Sequence, residues 1–290
     1  MNHVKHKGHE EHAVLVVNPG MAQFESALND IRALERLAAR DSPVQRLDPR
    51  AMVIVTAAFL ITVVSFPKYE IAGLVPLVLY PAILVAVGNL PLRVLVRYLL
   101  LAAPFAVLVG LFNPLLDRAI TARLGALAVS GGWLSFLSIL ARFLLTVSAA
   151  LLLLAATGYS ALCSALGRLG MPRLLTTQFL LLYRFIFIVA DEAQRMVRAY
   201  VLRSRRAGGM PLRVWSSLTG NLLLRAYDRG LRVHTAMLSR GFDGFMRSRH
   251  TPHWSWLDSG FVLACAGFFL LARFGHPAEL LGRWVLQVLR

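Results

Sequence analysis

Cysteine is nearly absent from this chain. Cys163 and Cys265 are the only two among 290 residues, and each sits inside an apolar stretch. No disulfide framework or multi-cysteine metal centre can be built from them, and both read as small buried hydrophobes. Lysine is almost missing too, with 3 Lys against 28 Arg, and the 15 acids leave a net charge of +16. No GxxxxGK[ST] loop occurs, so the chain does not hydrolyse ATP itself. HExxH, CxxC and GxSxG are also missing, which removes the commonest hydrolytic and metal-centre chemistries. Acids inside the apolar runs are nearly absent, which argues against a proton-coupled secondary transporter. No aromatics interleave with the basic residues as a stacking platform, so nucleic acid is not an expected partner. The first forty residues hold no apolar core before a cleavage site, so no cleavable signal peptide is expected.

What the chain has in excess is hydrocarbon. It is 57% apolar, with mean hydropathy +0.61. A bilayer crossing takes about 20 apolar residues. The runs 71–88, 94–112, 133–156 and 256–272 approach or meet that length, and 51–66 is at the short end. The expected fold is all-α, a polytopic helical membrane protein.

Residues 1–46 read as a cytoplasmic tail followed by an interfacial helix. His3, His6, His9 and His12 recur every third residue; the tract reads either as a loose divalent-metal holder or as a disordered tail. Phe24, Ala27, Leu28, Ile31 and Leu34 recur at helical spacing over 24–40, as in a helix lying in the membrane interface. "LDPR" (47–50) opens the first span, with Asp48 as N-cap and Pro49 at the first helical position. Residues 47–156 then form a four-span region, 157–253 a cytoplasmic region, and 254–290 a last span with its tail. Arg32, Arg36, Arg40, Arg46 and Arg50 place the N-terminus inside.

One stretch is ambiguous. Residues 174–190 are long and apolar enough to cross. A crossing there would put the arginine-dense stretch after it outside, and would bury Gln178 and Arg184 in lipid. Five spans are therefore expected, with six as the alternative. Residues 193–250 hold twelve Arg and only two acids, Asp228 and Asp243. Such a stretch suits an anionic membrane surface or an acidic partner. "GGMP" (208–211) divides it into two helices. Ala193, Met196, Val197, Tyr200 and Val201 make an apolar stripe on the first. Trp215, Leu218, Leu222, Ala226, Val233 and Met237 make one on the second, so the two helices are expected to pack together.

The helices end alike. "AYVLRS" (199–204) and "AMLSRG" (236–241) both carry alanine four residues before arginine. With "LDPR", "ALGRLGMP" (165–172), "YRFIFIVADEAQRM" (183–196) and "RGLRVHTAMLSRGFDG" (229–244), the chain after residue 45 resembles the transmembrane (T) component of energy-coupling-factor (ECF) transporters, an ABC-type importer class, and within it the cobalt branch, CbiQ. The resemblance implies a scaffold rather than a catalyst. It implies two cytoplasmic ATPase subunits, CbiO-like, which bind the ATP and Mg, so that no cofactor belongs to this chain and no residue of it is a metal ligand. It also implies a CbiM-like membrane subunit that holds the substrate, with a small CbiN-like subunit beside it. Ala199, Leu202, Arg203, Ser204, Ala236, Ser239, Arg240 and Gly241 are then the residues that couple to the ATPases. Ser204 stands where the family has glycine, so Arg205 is an alternative register for the first motif. Ser239 stands where alanine is usual.

A nickel or vitamin importer is an alternative from the same class. A rival from another class is a membrane enzyme acting on lipid phosphate. Its only cytoplasmic carboxylates would be Asp191, Glu192, Asp228 and Asp243, which lack the close spacing of a metal site.

Overall fold

A computed structural model describes residues 47–67, 71–88, 92–116, 120–124, 127–204, 210–246 and 254–274. The His-rich tract, the interfacial helix, Arg205 and the two glycines of "GGMP" lie outside the described residues. Two compact units emerge, one spanning 34–169 and 250–290, the other containing 170–249.

The first unit is the apolar one. Helix α1 (Pro49–Ser65) starts as expected: Pro49 is in the first turn, and the Asp48 carboxylate accepts the Arg50 backbone N–H at 2.8 Å. At 17 residues it is about 26 Å long. Met52, Val55, Phe59 and Val63 recur at helical spacing and are buried on one face, while Ile61 and Val64 are exposed on the other. The run 71–88 is not one continuous helix. Two 3₁₀ turns, Ala72–Leu74 and Pro76–Val78, precede a short helix α2 (Leu79–Gly88). Pro76 has no N–H to continue a helical ladder, and Gly73 favours none, so the first half tightens into 3₁₀. Residues 72–88 still cover roughly 28 Å.

Helix α3 (Leu92–Leu116) turns through a two-stranded antiparallel hairpin, β1 (Ile120–Leu124) and β2 (Leu127–Ser130), into α4 (Gly131–Thr157). The two long helices pack closely: a Cβ built on Gly110 would lie 2.8 Å from the Phe136 ring. Small residues on α4, Ser135, Ser138, Ala149, Ala155 and Ala156, are buried, as close helix packing in lipid requires. Helix α5 (Tyr159–Arg168) packs against α1. Helix α8 (Trp256–Phe274) also lies along α1.

An aromatic cluster closes the core. Phe59 of α1, Tyr80 of α2 and Phe269 of α8 stack with ring centroids 4.7, 5.5 and 5.6 Å apart. The one polar atom this brings in is satisfied, because Thr56 Oγ1 and Tyr80 OH share a hydrogen bond of 2.8 Å. Helices α1 and α8 run parallel. At one end the Asp258 carboxylate accepts the Asp48 N–H at 2.8 Å. At the other, Arg273 Nε donates to Ser65 Oγ at 3.3 Å, and the guanidinium lies 4.8 Å above the Phe66 ring. Outward faces are bare hydrocarbon: Leu101 and Phe105 of α3, Leu263 and Leu271 of α8. Among the described residues, α3, α4, α8 and the helix Arg173–Arg203 of the second unit are long and apolar enough to cross a membrane, and α1 and residues 72–88 are shorter apolar segments.

The second unit is a helix pair, α6 (Arg173–Arg203) and α7 (Leu212–Leu238). The stripes read from the sequence are its contact faces. Val197 is buried, and Ala193, Met196, Trp215, Leu218, Leu222, Ala226, Val233 and Met237 are half-buried. Pro211 is the N-cap of α7, one position before its first turn.

Candidate functional site

Helix α6 ends on an arginine. Arg203 is its last residue and is exposed, and Leu202 beside it is 76% exposed. Ala199 lies one turn back, half-buried. Ser204 then turns the chain out of the helix in an extended conformation, φ −86° and ψ 124°, its N–H still donating to the Tyr200 carbonyl at 2.9 Å. Ser204 itself is not left-handed, so serine can occupy the position that the motif gives to glycine.

Helix α7 ends differently. Gly241 has φ +77°, in the left-handed region that suits glycine. The Phe242 N–H donates to the Met237 carbonyl at 3.0 Å, and the Gly241 N–H to the Leu238 carbonyl at 2.9 Å. Those two bonds are the Schellman pattern, with Gly241 at C′ and Arg240 immediately before it. Ala236, Ser239, Arg240 and Gly241 are all exposed, and the Ser239 hydroxyl donates back to the Thr235 carbonyl at 3.0 Å. Among the described residues, neither Arg203 nor Arg240 makes an ion pair, so each guanidinium fork is available to an outside acceptor.

The two tips are not brought together. The chain leaving α7 returns to the start of α6, where Thr177 Oγ1 donates to the Gly244 carbonyl at 3.1 Å and Arg173 lies 5.9 Å from the Phe245 ring centre. The pair is therefore antiparallel. Arg203 and Thr177 are separated by about 39 Å of α6 at 1.5 Å per residue. Arg203 and Arg240 thus sit at opposite ends of the pair, on the order of 40 Å apart.

A salt-bridge node holds the pair at its middle. Glu192 of α6 takes Arg225 of α7 at 2.7 Å through one oxygen, and Arg195, one turn on, at 2.7 Å through the other. Glu192 lies past the apolar stretch 174–190. Arg225 first, then Arg195, hold its carboxyl below the usual glutamate range. In the sequence Glu192 stands out only as a candidate enzyme carboxylate, and its partner 33 residues away has no local signal.

With this geometry in hand, the family can be read directly. The profile described as CbiQ, cobalt transport protein, matches residues 40–254. The chain belongs to the CbiQ family. Cobalt transport protein CbiQ of Rhodobacter capsulatus is 38% identical over 116 residues, which is 38% of this chain and 46% of that protein, so the alignment spans about half of that relative. The energy-coupling factor transporter transmembrane protein EcfT of Heliobacterium modesticaldum is 30% identical over 265 residues, covering 84% of this chain and 97% of that one. Cobalt transport protein CbiQ of Salmonella typhimurium is 47% identical over 62 residues, 21% of this chain and 28% of that protein. As a CbiQ-family T component, the chain is a multi-pass membrane part of an energy-coupling-factor transporter and not an enzyme.

Proposed function

We propose that this CbiQ-family chain is the lever of an ATP-driven cobalt importer. Arg203 seats in one ATPase subunit and Arg240 in a second, both CbiO-like, and closure of the ATPase pair moves α6 and α7. The movement reaches a separate CbiM-like membrane subunit that holds the ion, with a CbiN-like subunit beside it.

The observation that carries this reading is the placement of the two free arginines. An antiparallel pair with exposed guanidiniums about 40 Å apart suits two receiving grooves on two subunits, and does not suit one shared pocket. Arginine presents a planar fork that matches a carboxylate in such a groove. Cobalt as cargo is supported by the names of the Rhodobacter and Salmonella relatives, while nickel and vitamins remain the competing cargoes.

The topology we infer has five spans, with the N-terminus and residues 170–249 cytoplasmic. Helices α1 and α8 begin at the same end of their unit, so the chain between them makes an odd number of crossings. Residues 72–88, α3 and α4 supply three. A crossing by α6 would require α7 to cross back, and α7 carries Arg213, Arg225, Arg229 and Arg232 with no buried residue.

The test combines metal uptake with ATPase co-purification in Arg203→Ala, Arg240→Ala and a control, Arg247→Ala, outside both motifs. Each motif variant should fold, yet lose ATPase subunits or uptake. Normal uptake by Arg240→Ala, or equal failure of the control, would overturn the lever. Uptake of nickel in place of cobalt would move the cargo and leave the lever intact.

A further inference from the structure

The node between α6 and α7 opens into a cleft of about 240 Å³. Its two walls have opposite character. Ile188, Val189 and Leu222 give an apolar wall, and Arg225, Arg229 and Arg232 give a cationic one. The arginines are spaced i, i+4 and i+7, so α7 presents them on one face. Arg225 is engaged with Glu192, whereas Arg229 and Arg232 make no ion pair among the described residues. Asp228 shares the rim. Counting Arg195, which shares Glu192, four guanidiniums face two carboxylates, and the surplus charge is positive.

The position along α6 says which anion this suits. Residues 174–190 contain one charged side chain, Arg184, and from Asp191 onward the helix is densely charged. Ile188, Val189 and Glu192 straddle that change. An apolar wall beside a cationic one suits an anion that carries a hydrocarbon chain. Arg229 and Arg232 stand beside Ile188 and Val189, which an acyl chain can follow.

We propose that this cleft is a binding site for an anionic phospholipid, its phosphate held by Arg229 and Arg232 and its acyl chain lying along Ile188 and Val189. Planar guanidiniums bind phosphate oxygens two at a time, which a lysine at the same place does not. Basic residues at the membrane surface favour anionic over zwitterionic lipid. A lipid seated there would touch both helices of the pair at their crossing.

The test uses the purified full-length chain in detergent. Phosphatidylglycerol or phosphatidylethanolamine is titrated in, and retained lipid is counted by native mass spectrometry. Wild type should retain phosphatidylglycerol in preference to phosphatidylethanolamine. Arg229→Gln/Arg232→Gln should lower phosphatidylglycerol retention roughly tenfold or more, the size expected for two arginines near an anionic surface. Its thermal midpoint should match wild type, because both side chains are exposed. Arg213→Gln, on the same helix but outside the cleft, should behave as wild type. Unchanged retention in the double variant, equal retention of the two lipids, or an equal loss in Arg213→Gln would each overturn the site. If the double variant keeps its lipid but sheds a co-expressed ATPase subunit, the arginines serve an acidic protein surface instead, and the lipid proposal fails.

Discussion

Asp258 accepts a hydrogen bond from the backbone N–H of Asp48 at 2.8 Å, across 210 positions of chain. Its other oxygen accepts the Ser255 N–H at 2.7 Å, while the Ser255 hydroxyl faces the Leu257 N–H at 3.4 Å. One carboxylate therefore closes a capping box on α8 and anchors the start of α1. Both aspartates are buried, at 2% and 3% exposure, so nothing but protein can replace these bonds. Asp258→Ala should cost about 2–4 kcal/mol, from a lost cap and an orphaned buried N–H. Asp258→Asn, which keeps one acceptor oxygen, should cost less. Unfolding in detergent followed by intrinsic fluorescence measures both. An Asp258→Ala protein as stable as wild type would refute the clamp.

Gly110 governs the approach of α3 to α4. With a Cβ placed 2.8 Å from Phe136 Cδ2, Gly110→Ala forces the ring or the helix to move, at about 1–3 kcal/mol. Phe136→Leu in the same chain should recover most of that loss. A double-mutant cycle with no coupling energy would show that the helices do not meet there.

The two arginine tips should respond differently to glycine chemistry. Gly241→Ala places a side chain at φ +77° and should cost about 1 kcal/mol, with a larger loss of ATPase co-purification because Arg240 loses its presentation. Ser204→Gly should change neither stability nor assembly, since Ser204 is extended. If Ser204→Gly strengthened assembly and Gly241→Ala left it intact, the asymmetry would be wrong.

For topology, Ser217→Cys on the exposed face of α7 should resist a membrane-impermeant thiol reagent in intact cells and react after permeabilisation. Ready labelling from outside would sink the five-span arrangement.

Much of this was legible in the chain itself. Asp48 and Pro49 announced the start of α1, and the two apolar stripes announced the packing of α6 on α7, because both depend on neighbours within a turn or two. Gly241 was readable as a left-handed helix end for the same reason. The break in 71–88 was visible as Pro76 but was masked by the length of the apolar run. Asp258 was hidden inside another apolar run, although Ser255-Trp-Leu-Asp258 has the spacing of a capping box. Its bond to Asp48 had no local signature, since that depends on which helices become neighbours. The same holds for Glu192 and Arg225, and for the opposite placement of Arg203 and Arg240, which needed the return of Gly244 to Thr177.

The neighbourhood of α1 and α8 also sets an order of events during synthesis. The first apolar helix leaves the ribosome early and its partner leaves last. Until Phe269 arrives, Phe59 and Tyr80 lack their third ring, and the Asp48 N–H has no acceptor. A nascent chain halted before residue 254 therefore carries an open seam that membrane quality-control proteases can recognise. Asp48, Phe59 and Tyr80 are thus among the first core residues made and among the last to be satisfied.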